Sequence, residues 1–216
     1  MMKKLLGIAA VAALLSLALA VYTLSQDSKD AKVEVITIAE IGKPAPNFKL
    51  TSAGGKEYSL SDYKDKWVVL EWINLQCPFV RKHYDSKNMQ TLQQAYAKRE
   101  VVWLSICSSA PGKQGNFSGQ ELTAKIKEVG TNSTAYLIDG NGKVGQSYGA
   151  KTTPHMFIIN PKGVLVYAGA IDDKPSTKVE DVKGAANFVS AALDAGLALK
   201  EIKVSTTVSY GCNVKY

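Results

Sequence analysis

The 216-residue sequence predicts an α/β domain in which helices cover a mixed central sheet. Two apolar runs of strand length, residues 67–73 and 101–106, are separated by a segment of helical pattern at 78–99. Two further β-rich runs flank a turn at 160–163, which is typical of a hairpin. An amphipathic segment at 178–199 predicts a final long helix. Strands that alternate with helices and end in a hairpin indicate a mixed sheet.

The remaining elements follow in chain order. Residues 42–46 are expected to be extended, because two prolines restrict the backbone. Phe48 and Leu50 alternate with polar residues before a turn at 52–56, which predicts an N-terminal hairpin extension ending near Leu60. Later segments are predicted as a loop at 107–119, a helix at 120–128, a strand at 134–138, and hairpin strands at 156–159 and 164–168.

Residues 1–20 predict a secretory signal peptide. Lys3 and Lys4 form a basic head, and an apolar stretch follows that ends in a small-x-small cleavage pattern. An uncleaved membrane anchor is the alternative, since the apolar stretch extends to Leu24. In both cases we expect export to the periplasm, with membrane contact only if the segment is uncleaved. The predicted organisation is a linker at 21–40, a domain at 41–200 and a C-terminal tail at 201–216.

Composition narrows the possible functions. A hydrophobic content of 46% with 21% charged residues indicates a folded core rather than disorder. The net charge of +7 comes mostly from scattered lysines without a basic patch interleaved with aromatics, so we expect no nucleic-acid partner. The three cysteines are an odd number in an exported chain, which favours redox chemistry over structural bracing. We expect no cofactor and no metal.

Cys77 is the strongest candidate for a reactive residue. It lies between a predicted strand and a predicted helix, and Pro78 suits the first helical turn because a proline lacks only an N–H that is unpaired there anyway. The unpaired N–H groups and the positive dipole end of a helix favour thiolate over thiol, so the pKa of Cys77 should be lowered. We therefore expect an exposed, nucleophilic sulfur.

Four motifs in this order resemble the thioredoxin fold, and more closely the peroxiredoxin-like branch of the alkyl hydroperoxide reductase and thiol-specific antioxidant superfamily. Residues 44–48 (PAPNF) resemble its entry motif, and Cys77 occupies the first position of the thioredoxin CxxC. Thr153 and Pro154 resemble its cis-proline loop, and residues 160–163 resemble the hairpin that follows. The resemblance implies a thiol-disulfide oxidoreductase, or a thiol-dependent peroxidase, whose partner is a protein thiol or disulfide or a peroxide.

The resemblance implies roles for Pro154 and Glu71, and position in the sequence makes His155 and Arg81 further candidates. Pro154 would be cis, which would leave the Thr153 backbone free to pair with an extended substrate. Glu71 matches the buried acid that accepts a proton in thioredoxins, although an outward-facing strand position is the alternative. His155 could tune the thiol or donate a proton, or be a half-buried histidine without a role. Arg81, one turn after Cys77, could support the thiolate or be solvated.

The sequence also departs from the family. Val80 replaces the second cysteine of CxxC, so the usual resolving thiol is missing. Peroxiredoxins have a threonine or serine and a proline at the positions of Asn74 and Leu70, and they have a downstream arginine where this chain has none beyond Arg99. Because a peroxide site needs donors that polarise the O–O bond, disulfide exchange tolerates these changes better than peroxidase chemistry.

The partner of Cys77 stays open. Cys212 lies in a polar tail beside Gly211, and a mobile tail could bring it back to resolve oxidised Cys77, as C-terminal cysteines do in some peroxiredoxins. Cys107 ends a predicted strand, and in the fold that the motifs resemble this strand end lies at the same edge of the sheet as the active site. Cys107 could therefore pair with Cys77 instead. A further alternative is a copper-binding module with Cys77, Cys212 and His155 as ligands, since thiolates and imidazole suit that metal.

Overall fold

The computed structural model describes residues 38–216. The predicted signal peptide and nearly all of the predicted linker lie outside the described residues. Contacts divide the chain into the units Met1–Ile36 and Thr37–Tyr216, and every described residue belongs to the second unit. Between residues 38 and 216, no helix combines the length and the apolar character needed to cross a bilayer. The predicted boundaries near residues 40 and 200 remain predictions.

A mixed seven-stranded sheet forms the centre of this unit. Its order is β2-β1-β5-β4-β3-β7-β8, in which β3 runs parallel to β4 and antiparallel to β7. A separate two-stranded ladder joins β6 and β9. The strands are β1 (Lys49–Ser52), β2 (Glu57–Ser59), β3 (Val68–Trp72), β4 (Val102–Cys107), β5 (Ala135–Ile138), β6 (Thr152–Thr153), β7 (His155–Ile159), β8 (Leu165–Gly169) and β9 (Cys212–Asn213).

Helices cover both faces of the sheet, which confirms the predicted α/β class. They are α1 (Pro78–Asp85), α2 (Asn88–Ala97), α3 (Gly119–Val129), α4 (Lys143–Tyr148) and α5 (Phe188–Leu197). Successive residues of β3 point to opposite faces, so Val69 joins the core under α1, α2, α3 and α5, while Leu70 joins the core on the α4 side. All of β3 is buried, which explains why its sequence is a continuous apolar run interrupted only by Glu71.

The prediction of one helix over 78–99 is wrong, because the segment forms two helices. The helical conformation is interrupted between α1 and α2 at Ser86 and Lys87, and Lys87 has a left-handed φ of +62°. The Ser86 hydroxyl donates to the His83 carbonyl at 3.2 Å and accepts from the Asn88 N–H at 3.4 Å. Serine thereby offers the backbone an alternative to the helical hydrogen bonds, which the apolar periodicity does not reveal.

The prediction of one helix over 178–199 is also wrong. Only a 3-10 turn forms at Val179–Val182, and Gly184 then adopts a φ of +86°. The helix α5 begins later, where the Asn187 side chain accepts a hydrogen bond from the Ser190 N–H at 2.8 Å as an N-cap. The short elements α4, β6 and β9 were not predicted from the sequence.

Gly196 in α5 lies at a close helix approach that requires the absence of a side chain. A Cβ atom there would lie 2.3 Å from Cη2 and 2.7 Å from Cζ2 of Trp67. The indole ring is rigid, so the helix or the ring would have to move. Glycine at this position therefore fixes how closely α5 packs beside the start of β3.

We expect Gly196→Ala to lower the free energy of unfolding by about 1–2 kcal/mol, because overpacking outweighs the roughly 1 kcal/mol gained in helix propensity. Urea denaturation measures this. Gly140→Ala is the matched control, since no atom lies within 4 Å of the position of its Cβ. A Gly196→Ala protein at least as stable as the wild type would contradict the packing argument.

Candidate active site

Cys77 is the N-cap residue of α1 and follows the end of β3 by five residues. Its N–H donates to the Asn74 carbonyl at 2.9 Å, and Pro78 occupies the first helical turn as predicted. Its side chain, however, has no exposed surface and belongs to the core cluster under α1. The expectation of an exposed sulfur is therefore wrong, because neighbouring segments pack over the helix start.

The loop before β7 reaches the sulfur. The Thr153–Pro154 peptide is cis, and Cys77 Sγ donates a hydrogen bond to the Thr153 carbonyl at 3.0 Å. Antiparallel pairing of Trp72 with His155 holds the end of β3 beside the start of β7. The nucleophile candidate and the cis-proline loop, 76 residues apart in sequence, are thus in direct contact.

The C-terminal tail pairs with the same loop. Strand β9 runs antiparallel to β6, and Cys212 is the direct partner of Thr153. Gly211 has a φ of +134°, and a Cβ there would lie 2.1 Å from the Thr153 carbonyl oxygen. Only glycine allows the tail backbone to approach so closely.

The tail is packed on the domain, whereas the sequence suggested a mobile segment. The contacts lie on both sides of Cys212, so the tail crosses the site as a strap. They join the Thr207 hydroxyl to the Ala170 N–H at 2.9 Å, the Tyr210 hydroxyl to Asp172 Oδ1 at 2.5 Å, the Val214 N–H to the Lys151 carbonyl at 3.0 Å, and the Tyr216 hydroxyl to the Ala150 carbonyl at 2.8 Å.

Cys212 lies against Cys77. Burial, together with a smaller effect of the adjacent Cys77 thiol, raises the pKa of Cys212 to about 11. Cys77, Cys107 and Cys212 are all free thiols in this structure. The site therefore holds a reduced pair of neighbouring sulfurs, one at a helix start and one on the tail.

Cys107 lies elsewhere in the core. Its Sγ donates to the Gly115 carbonyl at 3.5 Å, and its thiol helps to raise the pKa of Tyr136, after the larger effect of burial. The structure therefore brings Cys212, rather than Cys107, into the surroundings of the Thr153 carbonyl.

Glu71 is fully buried and accepts four hydrogen bonds. Burial raises its pKa, and the four donors oppose that rise. Since none of these donors is Cys77, the carboxyl group braces β3, β4 and the helices above them. The donors are Trp103 Nε1 at 2.8 Å, the Ser105 hydroxyl at 3.0 Å, the Tyr84 hydroxyl at 3.0 Å and Gln93 Nε2 at 3.1 Å.

His155 is buried, and its ring lies 4.4 Å from that of Phe157 between centroids. Burial lowers its pKa to about 4, so the imidazole is neutral at neutral pH. The Lys151 N–H donates to Nδ1 at 3.3 Å, which leaves the ring proton on Nε2. His155 is therefore unsuited to supply a proton as an imidazolium.

Arg81 is paired with two acidic side chains rather than with the sulfur. Its guanidinium forms ion pairs with Asp85 at 3.0 Å and with Glu128 at 3.3 Å, all with partly exposed side chains. Both acids use its donors, so Arg81 ties α1 to α3 rather than supporting a thiolate.

The proposed copper ligands do not assemble. Within residues 38–216, no three His, Cys, Asp or Glu side chains are grouped closely enough to hold a metal ion. The set of Cys77, Cys212 and His155 therefore has no structural support as a copper site.

A second buried polar cluster, which sequence reasoning missed, lies beside the tail. Lys82 and His83 of α1 face Asp172, which follows β8, and Tyr210 of the tail. The sequence gives only one sign of this cluster, namely the consecutive polar residues Lys82 and His83 in the first amphipathic helix. Asp172 lies in an irregular segment, where no pattern predicts burial.

Comparison with known proteins identifies the family of the chain. Residues 41–168 match the model of the AhpC/TSA family. A thioredoxin peroxidase of Fasciola hepatica is 31% identical over 147 residues, which is 64% of this chain and 74% of that protein. The thiol:disulfide interchange protein DsbE of Escherichia coli K12 is 28% identical over 173 residues, or 77% of this chain and 86% of that protein.

Solved structures give the fold. The thioredoxin domain of a thiol-disulfide oxidoreductase from Bacteroides vulgatus superposes with a TM-score of 0.50 at 18% identity, covering 67% of this chain and 96% of that domain. The thioredoxin-like fold expected from the motifs is thereby confirmed. Because the family match extends over more than half of the sequence, the chain belongs to the AhpC/TSA family and is a thiol-dependent oxidoreductase.

Proposed function

We propose that the protein is a thiol-disulfide oxidoreductase in which Cys77 attacks the partner and Cys212 resolves the product. One observation carries the proposal, namely that both residues meet at Thr153. Cys77 donates to its carbonyl at 3.0 Å, and Cys212 is its partner across the β6–β9 ladder. The order of attack follows from the surroundings of the sulfurs. Cys77 lies at the N-terminus of α1, whereas the raised pKa of Cys212 keeps its thiol protonated until the second step.

The chemistry balances in two exchange steps. The Cys77 thiolate attacks one sulfur of a partner disulfide, the partner's S–S bond breaks, and the other partner sulfur leaves as a thiolate. Cys212 then loses its proton and attacks the Cys77 sulfur, and the mixed disulfide breaks to release the second partner thiolate. The partner gains two electrons and the chain holds a Cys77–Cys212 disulfide. The reverse sequence oxidises a partner dithiol.

Thr153 and Pro154 form the docking edge in this proposal. An extended polypeptide would pair with the Thr153 backbone, and β9 now occupies that edge. A protein partner therefore has to displace the tail before it reaches Cys77, which is fully buried. We assign Glu71 a supporting role beneath the site, because its four hydrogen bonds are made within the core.

We further propose that the protein acts after export, in the periplasm. Support for this comes from residues 1–20, whose basic head, apolar stretch and small-residue pattern are typical of a signal peptide. Membrane attachment would follow only if that segment is retained.

A peroxidase is the second candidate, and the burial of Cys77 favours it. A small peroxide can reach a covered sulfur with less tail movement than a polypeptide needs. The thiolate would attack one peroxide oxygen to give a sulfenic acid and an alcohol or water, and Cys212 would then displace water to form the disulfide. Asn74 and Leu70, which stand where peroxiredoxins have other residues, argue against efficient peroxide activation.

Dithiodipyridine tests the order of the two sulfurs. The wild type should release one thiopyridone quickly on attack by Cys77 and a second on resolution by Cys212. Cys212→Ser should release one and keep a mixed disulfide on Cys77, whereas Cys77→Ser should lose the fast phase. Stopped-flow absorbance and mass spectrometry follow these steps.

Cys107→Ala tests whether the third cysteine competes with Cys212 for the resolving role. Both phases of thiopyridone release should persist in this variant. Loss of its second phase would transfer the resolving role to Cys107. A fast first phase in Cys77→Ser would overturn the assignment of the nucleophile.

The second phase should accelerate with pH. Because the pKa of Cys212 is about 11, its thiolate fraction rises about tenfold per pH unit below that value. We therefore expect the resolution rate to increase by nearly that factor per unit between about pH 7 and pH 9, measured as the second thiopyridone release. A rate that is flat over this range would contradict a protonated resolving thiol.

Hydrogen peroxide separates the two candidate functions. If disulfide exchange is the activity, Cys77 should react with peroxide no more than about tenfold faster than free cysteine does, because Asn74 and Leu70 replace the residues that peroxiredoxins have there. Competition against a peroxide-sensitive dye, with Cys77→Ser as the blank, measures this rate. A rate several orders of magnitude higher would establish the peroxidase alternative.

A further inference from the structure

A buried polar cluster holds the tail close to Cys212. Its members are Lys82, His83, Asp172 and Tyr210, which we call the latch. Asp172 Oδ1 accepts from the Tyr210 hydroxyl at 2.5 Å and lies 3.8 Å from Lys82 Nζ. The side chains of Lys82, His83 and Asp172 are all inaccessible to solvent. Neither of the proposed exchange steps uses any of these groups.

The hydrogen bonds of the latch have a defined direction. The Asn88 side-chain amide donates to His83 Nδ1 at 2.9 Å, which leaves a proton on Nε2 of the neutral ring. Nε2 lies 3.2 Å from the Tyr210 oxygen and donates to it, and Tyr210 donates in turn to Asp172. Burial lowers the pKa of His83 to about 4, and burial and Asp172 raise the pKa of Tyr210, so both groups keep these roles at neutral pH.

The latch also connects to the nucleophile through α1. Lys82 and His83 lie on the helix that begins at Cys77, and the Phe79 ring of the same helix is 6.0 Å from the Tyr210 ring between centroids. On the tail, only Gly211 separates Tyr210 from Cys212. The contacts of Tyr210 with α1 therefore help to fix where the second sulfur lies relative to the first.

We propose that Tyr210, held by Asp172 and His83, is a positioning residue that sets Cys212 against Cys77 for the resolving step. The inference rests on the proposed function of the cysteine pair. In that step, Cys212 loses its proton to solvent and the resulting thiolate forms an S–S bond to Cys77, while the bond from Cys77 to the partner sulfur breaks and the partner leaves as a thiolate. The Tyr210 hydroxyl bonds to His83 and Asp172 rather than to a sulfur, and it acts by reducing the freedom of the tail.

Tyr210→Phe tests the latch. This change removes the hydroxyl bonds to Asp172 and His83 but keeps the ring beside Phe79 and beneath Lys82 Nζ, which is 5.4 Å from its centroid. With dithiodipyridine, we expect the first thiopyridone release to be at least as fast as in the wild type. The second should be slower by about 10- to 100-fold, because misplaced reacting groups lose rate on that scale.

Tyr96→Phe is the matched control. Its hydroxyl also donates to a carboxylate, Asp194 Oδ1 at 3.1 Å, but the bond joins α2 to α5 away from the tail. Both phases should match the wild type. If the Tyr210 hydroxyl only stabilised the fold, Tyr210→Phe and Tyr96→Phe would lower the melting temperature by similar amounts. Neither variant would then slow the second phase selectively.

The outcomes separate the latch from the function it serves. A Tyr210→Phe protein that resolves at the wild-type rate overturns the positioning role while leaving the cysteine pair intact. A wild-type chain that releases only one thiopyridone overturns the pairing of Cys77 with Cys212, and the latch proposal with it.

Discussion

The hydrogen bond from Cys77 to the Thr153 carbonyl is the contact on which the site depends. Through it the start of α1, the cis-proline loop and the tail converge, because Thr153 also pairs with Cys212 across the β6–β9 ladder. One short strand therefore determines the position of both sulfurs. A shift of that strand would move the nucleophile's acceptor and the resolving residue together. The close approach at Gly211 shows how little space the arrangement leaves, since a single methyl group there would collide with the Thr153 oxygen.

Sequence reasoning identified those parts of the molecule whose signals are local. The central strands β3 and β4 are continuous apolar runs, because both of their faces are buried. Cys77 with Pro78, and Thr153 with Pro154, are short motifs that can be recognised without knowing the fold. The break between α1 and α2 escaped detection because it depends on a left-handed lysine, Lys87, a conformation that non-glycine residues adopt rarely. The packed tail escaped detection because three of its hydrogen bonds join residues 38 to 66 positions apart, which no periodicity reports.

The polar interior contains two buried carboxyl groups, Glu71 and Asp172, whose hydrogen bonds depend differently on the tail. Glu71 accepts only neutral donors that belong to the domain itself, so its network is complete whether or not the tail is in place. Asp172 faces Lys82 and His83 but takes its shortest hydrogen bond from Tyr210 of the tail. A buried polar group that loses a partner is costly. Release of the tail would therefore cost free energy at Asp172, which would lose the hydrogen bond from Tyr210, and would leave the hydrogen bonds of Glu71 unchanged.

The packing of the tail favours one step of the proposed reaction and opposes another. A flexible tether alone gives a cysteine an effective concentration in the millimolar range, whereas anchors on both sides of Cys212 remove its freedom before the reaction begins. The same anchors keep Cys77 buried and occupy the edge that a polypeptide would use. Fast resolution thus requires a closed tail, and entry of a protein partner requires an open one.

Because the anchors are separate hydrogen bonds at Thr207, Tyr210, Val214 and Tyr216, the stretch around Cys212 can detach while the outer anchors hold. Local opening of that stretch costs less free energy than release of the whole tail, so it is the simplest way for one chain to satisfy both requirements.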